Sequence, residues 1–197
     1  MEYKDIKKYY RIERANRLPQ FIKDSLESDL KPAYFWYALT HLWSDGENLY
    51  DYKEYVEEMM LEHFETQAVL EAHDKKEQKK LKELWAEPEV TVYRGQNEAD
   101  PEMNLSWTLD KNLAMWFATR FNFPKEKLKE WGREELYRGK PILITGKVYG
   151  GTVYCYLNES HKNEQECLIP RPEEFIYEVT TEKINWKKWE QEQSCTK

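Results

Sequence analysis

Through residues 1–87 the apolar positions recur at three- and four-residue intervals, which predicts a helical region. In "PAYFWYALTHLW", Phe35, Leu39 and Leu42 share one helical stripe, and Gly46 in the following "SDGEN" marks its stop. "DYKEYVEEMMLEHFETQ" places Tyr55, Met59 and His63 at i, i+4 and i+8, and Val56, Met60 and Phe64 one position on. The run "EAHDKKEQKKLKELW" reads as a helix with a solvated charged face and an apolar end at Leu81, Leu84 and Trp85. Pro88 then closes the helical pattern.

From there the period changes from helical to alternating. "VTVYRG" is β-branched and alternates, so it predicts a strand with Arg94 and Gly95 at its end. "LSWTLD" reads as a short strand or turn. It leads into "KNLAMWFATRF", a helix face of Leu113, Ala114, Trp116, Phe117 and Ala118 with Asp110 as N-cap. "KEKLKEWGREELYRG" reads as a helical insertion or a loop. "PILITGKVYGGTVYCYL" holds two strands around a Gly150–Gly151 turn, and "ECLIP" and "EFIYEVTTEKI" supply two more. The expected class is α+β: a helical region at 1–87, a strand-rich core at 88–184 and a polar tail at 185–197.

Composition narrows the function. The 197 residues carry a net charge of −7, which disfavours a general nucleic-acid binder that must neutralise phosphates. "MEYKDIKKYYRIER" has no apolar signal-peptide core, and no window suits a membrane span. Cys155, Cys167 and Cys195 are odd in number and match no metal spacing. A cytoplasmic protein with reduced thiols, no metal and no membrane partner is therefore expected. The common phosphate loops and the G-x-S-x-G elbow are missing, and His41, His63, His73 and His161 lack zinc-site spacing.

Three features remain, in chain order: Arg94-Gly95, then Ser106 and Thr108 before an apolar helix, then Glu164 and Glu166 before "CLIP". If "EQECLI" is extended, both carboxylates share a face, with Cα atoms about 7 Å apart. That arrangement costs energy unless a cation or polar ligand lies between them, or the strand is a solvated edge. A guanidinium is a planar fork suited to phosphate, and a glycine beside it admits a ligand close to the backbone. The hydroxyls suit a ribose, and a glutamate suits a cation developing at its anomeric carbon.

This order of Arg, Ser-x-Thr and Glu-x-Glu resembles the R-S-E class of ADP-ribosyltransferases over about residues 88–180, in "VYRGQ", "LSWTLDKNLAMWFA" and "NEQECLIP". The resemblance implies a split mixed or antiparallel sheet and NAD as substrate. It implies Arg94 on the NAD phosphate or ribose, Gly95 offering backbone hydrogen bonds to the nicotinamide amide, and Ser106, supported by Thr108, on the ribose and the glutamate. Glu166 would stabilise the oxocarbenium ion, and Glu164 would activate or recognise the acceptor. Phe121, Phe123 and Trp116 are candidates to stack on nicotinamide, with core packing the favoured role for Trp116 and Phe121 assigned to the NAD site. "YLNESHKN" would form an acceptor loop in which Tyr156 or His161 touches the target. The implied activity is mono-ADP-ribosylation of an intracellular protein, with arginine the expected acceptor. The setting would be a bacterial or phage-infected cell, and an antitoxin or regulatory partner is a further expectation. NAD hydrolysis, transfer to nucleic acid, and a non-catalytic binding module of the same fold are the alternatives.

Overall fold

A computed structural model describes residues 3–26, 28–45, 49–100, 103–120, 125–158 and 164–185. A 3-10 segment at Tyr3–Arg11 opens the chain. Five helices follow: α1 (Arg17–Leu26), α2 (Pro32–Leu42), α3 (Lys53–Glu62), α4 (Thr66–Glu71) and α5 (Lys75–Ala86). Pro32 opens α2, where its missing N–H costs nothing. Asp74 and Glu77 form a reciprocal capping box at α5, whose Leu81 and Leu84 are buried.

The periodic run from Asp51 to Gln67 is two helices rather than one. Val56, Met59 and Met60 are buried, whereas Tyr55 is 51% exposed. The break has a cause: the Trp36 indole N–H donates to the His63 carbonyl at 2.8 Å. Phe64 then leaves the stripe to pack on Tyr154, with ring centroids 4.2 Å apart.

The second half supplies β1 (Val90–Asn97), β2 (Ser106–Thr108), α6 (Lys111–Thr119), α7 (Lys125–Glu130), β3 (Pro141–Val148), β4 (Cys155–Leu157), β5 (Glu166–Leu168), α8 (Pro172–Phe175) and β6 (Glu178–Lys183). These six strands form one sheet in the order β4-β5-β2-β1-β3-β6. Every pairing is antiparallel, so the chain is α+β and the sheet among the described residues is not mixed. The two strands flanking Gly150 and Gly151 are not hairpin partners. β3 lies between β1 and β6, while β4 is the opposite edge. Gly150 serves packing instead, because a Cβ there would sit 1.9 Å from the Leu84 carbonyl oxygen of α5.

One continuous apolar core runs from Ile6 in the first helical segment to Ile176 before β6. Helices and sheet thus bury their apolar faces against each other. Cys155 and Cys167 are buried and free. Among the described residues no helix is long and apolar enough to cross a membrane. The expected polar tail beyond residue 185 lies outside the described residues.

The sheet has a seam. β1 pairs with β3 at eight consecutive positions but with β2 only at Tyr93↔Thr108. Helix α6 lies close over this seam, and Gly95 permits it: a Cβ there would fall 1.7 Å from the Ala114 carbonyl oxygen and 2.7 Å from the Ala118 nitrogen. Both obstacles are backbone, so neither yields without moving the helix. Gly95→Ala is expected to cost at least about 2 kcal/mol, read as a lower urea midpoint. An unchanged midpoint would mean that α6 is not seated on β1.

Candidate functional site

Arg94 lies inside β1 rather than at its end, since the strand continues to Asn97. Its side chain is a clamp on the seam. Nε donates to the Gln96 side-chain oxygen at 3.0 Å, and Nη1 donates to the Ser106 carbonyl at 2.7 Å. Backbone alternation explains why that carbonyl is free. Glu98 donates to Lys140 across β1 and β3, so even positions of β1 turn their backbone groups toward β3 and odd ones toward β2. Leu109 and Leu105 bond across to β5, which turns the Ser106 backbone toward β1. Gly95 and Ser106 therefore face one another where the next ladder pair would fall, but the strands have parted and the guanidinium takes the carbonyl. Gly95 thus has two structural reasons: bare Cα under α6, and backbone groups directed into the seam.

Ser106 joins the arginine to the glutamate. Its carbonyl accepts from Arg94, and its hydroxyl donates to Glu166 Oε1. The same oxygen accepts the Trp43 indole N–H at 2.8 Å. Glu166 Oε2 takes no hydrogen bond among the described residues, and the half-buried side chain lines a cleft. Among the described residues the partners of the Arg94 guanidinium are the Gln96 side chain and the Ser106 carbonyl, and its influence on Glu166 is through charge rather than a hydrogen bond. Burial lowers the Arg94 pKa to about 10, with Asp100 and Glu166 pulling the other way, so it is cationic at neutral pH.

Burial also raises the Glu166 carboxyl above the ordinary glutamate range. Ser106 and Trp43 lower it, Glu164 raises it, and Arg94 lowers it. A reaction that needs the carboxylate should therefore gain rate with pH across a window above that of a free glutamate. Glu164→Gln removes one raising neighbour, so the acid limb of any such reaction is expected to move to lower pH. A limb that stays put would show that Glu164 does not act on Glu166.

Glu164 and Glu166 do not share an extended strand. β5 begins at Glu166, and Gln165 adopts a left-handed conformation with φ 46°. Thr108 fixes this turn: its hydroxyl donates to the Glu164 carbonyl at 2.7 Å and accepts the Asp110 N–H at 3.1 Å. Thr108 thus supports the Glu164 backbone rather than a glutamate side chain. Asp110 caps α6 as its sequence suggests. The two glutamates still converge, because both line a cleft of about 270 Å³ with Thr40, Ser44, Asp74 and Leu157.

Trp107 is 1% exposed. Strand alternation turns it away from Ser106 and Thr108, as expected. Tyr156 is 5% exposed and does not project toward an acceptor. Trp116 is exposed, and the Arg120 guanidinium lies over its ring 5.0 Å from the centroid. Phe121, Phe123 and His161 lie outside the described residues. No group of three or more His, Cys, Asp or Glu side chains among the described residues is arranged to hold a metal.

Two contributors escape sequence reasoning. Gln96 shares the Arg94 clamp and carried a signal, being a polar residue at the inward parity of β1. Trp43 carried none, because its partner is 123 residues away. No protein-family model, curated protein or solved structure matches this chain.

Proposed function

We propose that the chain is a mono-ADP-ribosyltransferase. It would cleave the N-glycosidic bond of NAD and pass ADP-ribose to an arginine of an intracellular protein. The observation that carries this reading is the hydrogen-bonded line from Arg94 through Ser106 to Glu166 across three neighbouring strands. An antiparallel sheet parted between β1 and β2 supports the split-sheet core that the motifs imply.

In this reading the free oxygen of Glu166 accepts the ribose 2′-hydroxyl. As the C1′–N bond breaks, its electron pair leaves with nicotinamide, and the carboxylate stabilises the cation left at C1′. Gly95 turns its backbone groups toward the nicotinamide amide, and Arg94 supplies positive charge for the phosphates. A guanidine nitrogen of the acceptor forms the new bond to C1′ and yields its proton beside Glu164. The acidic lining of the cleft suits a cationic acceptor.

The test is labelled NAD incubated with the purified protein, with and without an arginine-bearing protein. Label on protein that survives denaturation is expected. Free ADP-ribose alone would make the activity a glycohydrolase. Neither binding nor turnover of NAD would end the reading.

A further inference from the structure

We propose that Trp43 is a positioning residue for Glu166: its indole N–H and the Ser106 hydroxyl together hold one carboxylate oxygen so that the other is presented to the ribose. The inference rests on the transferase reading and deepens it by bringing the helical region into the catalytic centre.

Trp43 follows α2 in a short 3-10 turn and is 5% exposed. Three other tryptophans use their donors in the ordinary structural way, on backbone carbonyls. Trp36 donates to His63 at 2.8 Å, Trp85 to Val153 at 2.8 Å and Trp107 to Asn104 at 2.9 Å. Trp43 instead donates to a carboxylate, at 2.8 Å. A fixed backbone carbonyl gains no new orientation from such a bond, but a glutamate does, because its terminal torsion is soft. One donor would leave the carboxylate free to turn about that bond. Two donors on Oε1, one from β2 and one from the helical region, fix its plane and leave Oε2 unpartnered among the described residues. A hydrogen bond to the ionised form also favours that form.

Other charged or titratable groups share this environment, so a pH readout must be compared within one background. They are Arg94 from β1, Glu164 before β5, Cys155 from β4 and Cys167 on β5 itself. Asp74, Glu77 and His41 line the cleft from the helices.

The test uses the full chain and Trp43→Phe, which keeps an aromatic ring and deletes the donor. Expected results are a fall in kcat of about tenfold, a KM for NAD within about twofold, and an acid limb moved to higher pH. A merely structural tryptophan would lower thermal stability without moving the limb. A second measurement needs no change at position 43: the indole 1H–15N signal of wild-type protein across pH. Among the eight tryptophan signals, the one displaced by Glu166→Gln should titrate with Glu166 in the wild type. No such signal, or W43F with wild-type kcat and an unmoved limb, overturns the proposal. If wild-type protein does not cleave NAD, the transferase reading falls instead, and the indole titration alone decides whether Trp43 holds Glu166.

Discussion

Glu166→Gln is expected to lower NAD cleavage on the order of a thousandfold or more while leaving the fold in place. The amide keeps the shape and an oxygen able to accept from Ser106 and Trp43. In the transferase reading, what it loses is the negative charge that stabilises the developing cation. Stability should move the other way. The folded protein raises the pKa of Glu166, so this carboxyl contributes most to stability when protonated in acid. That contribution is lost as pH rises through the folded pKa. Above neutral pH the glutamine variant should therefore melt no lower than the wild type. Residual turnover near the wild-type rate would remove Glu166 from the mechanism. A large drop in melting temperature would mean that its role is to hold the structure.

Arg94→Lys should fail almost as fully as Arg94→Ala, for reasons of shape. The guanidinium reaches Gln96 and the Ser106 carbonyl with two different nitrogens, and a single ammonium has no such fork. Losing one arm leaves a polar group in the seam without its partner. The expected loss is about 2–3 kcal/mol, a fall in melting temperature of roughly 5–10 °C for a chain of this size. In the transferase reading NAD affinity should drop at least about tenfold, since the clamp that sets the Ser106 carbonyl and the local positive charge is displaced. In Arg94→Ala the positive charge beside Glu166 also disappears, so its acid limb should rise. Calorimetric NAD titration and thermal unfolding measure both losses. A lysine variant equal to wild type in both would mean that Arg94 supplies only charge.

Local patterns made most elements legible. "VTVYRG", "LSWTLD" and "ECLIP" are strands, and Asp110 opens the helix that follows the second. The serine and the catalytic glutamate candidate also meet as their order suggests, because β2 and β5 are neighbours. The mistakes share a physical source, which is long-range packing that overrides a local period. Phe64 fits the stripe of α3 yet leaves it for Tyr154. Gly150 looks like a turn residue yet is there for α5. Glu164 sits at strand parity with Glu166, but the left-handed Gln165 between them breaks the extension. Trp43 could not be paired with Glu166 by any local rule, since the contact exists only once the helical region docks on the sheet.

The seam between β1 and β2 divides the sheet into two leaves. Arg94 and Gly95 belong to the leaf β1-β3-β6, while Ser106 and Glu166 belong to the leaf β4-β5-β2. Among the described residues, one ladder pair and the Arg94 bond to the Ser106 carbonyl are the hydrogen-bonded links across the fold line, with α6 packed over it. A dinucleotide that touches both leaves would act as a rivet. Its binding energy would appear as mechanical stiffness, seen as slower amide exchange on both sides of the crease at once.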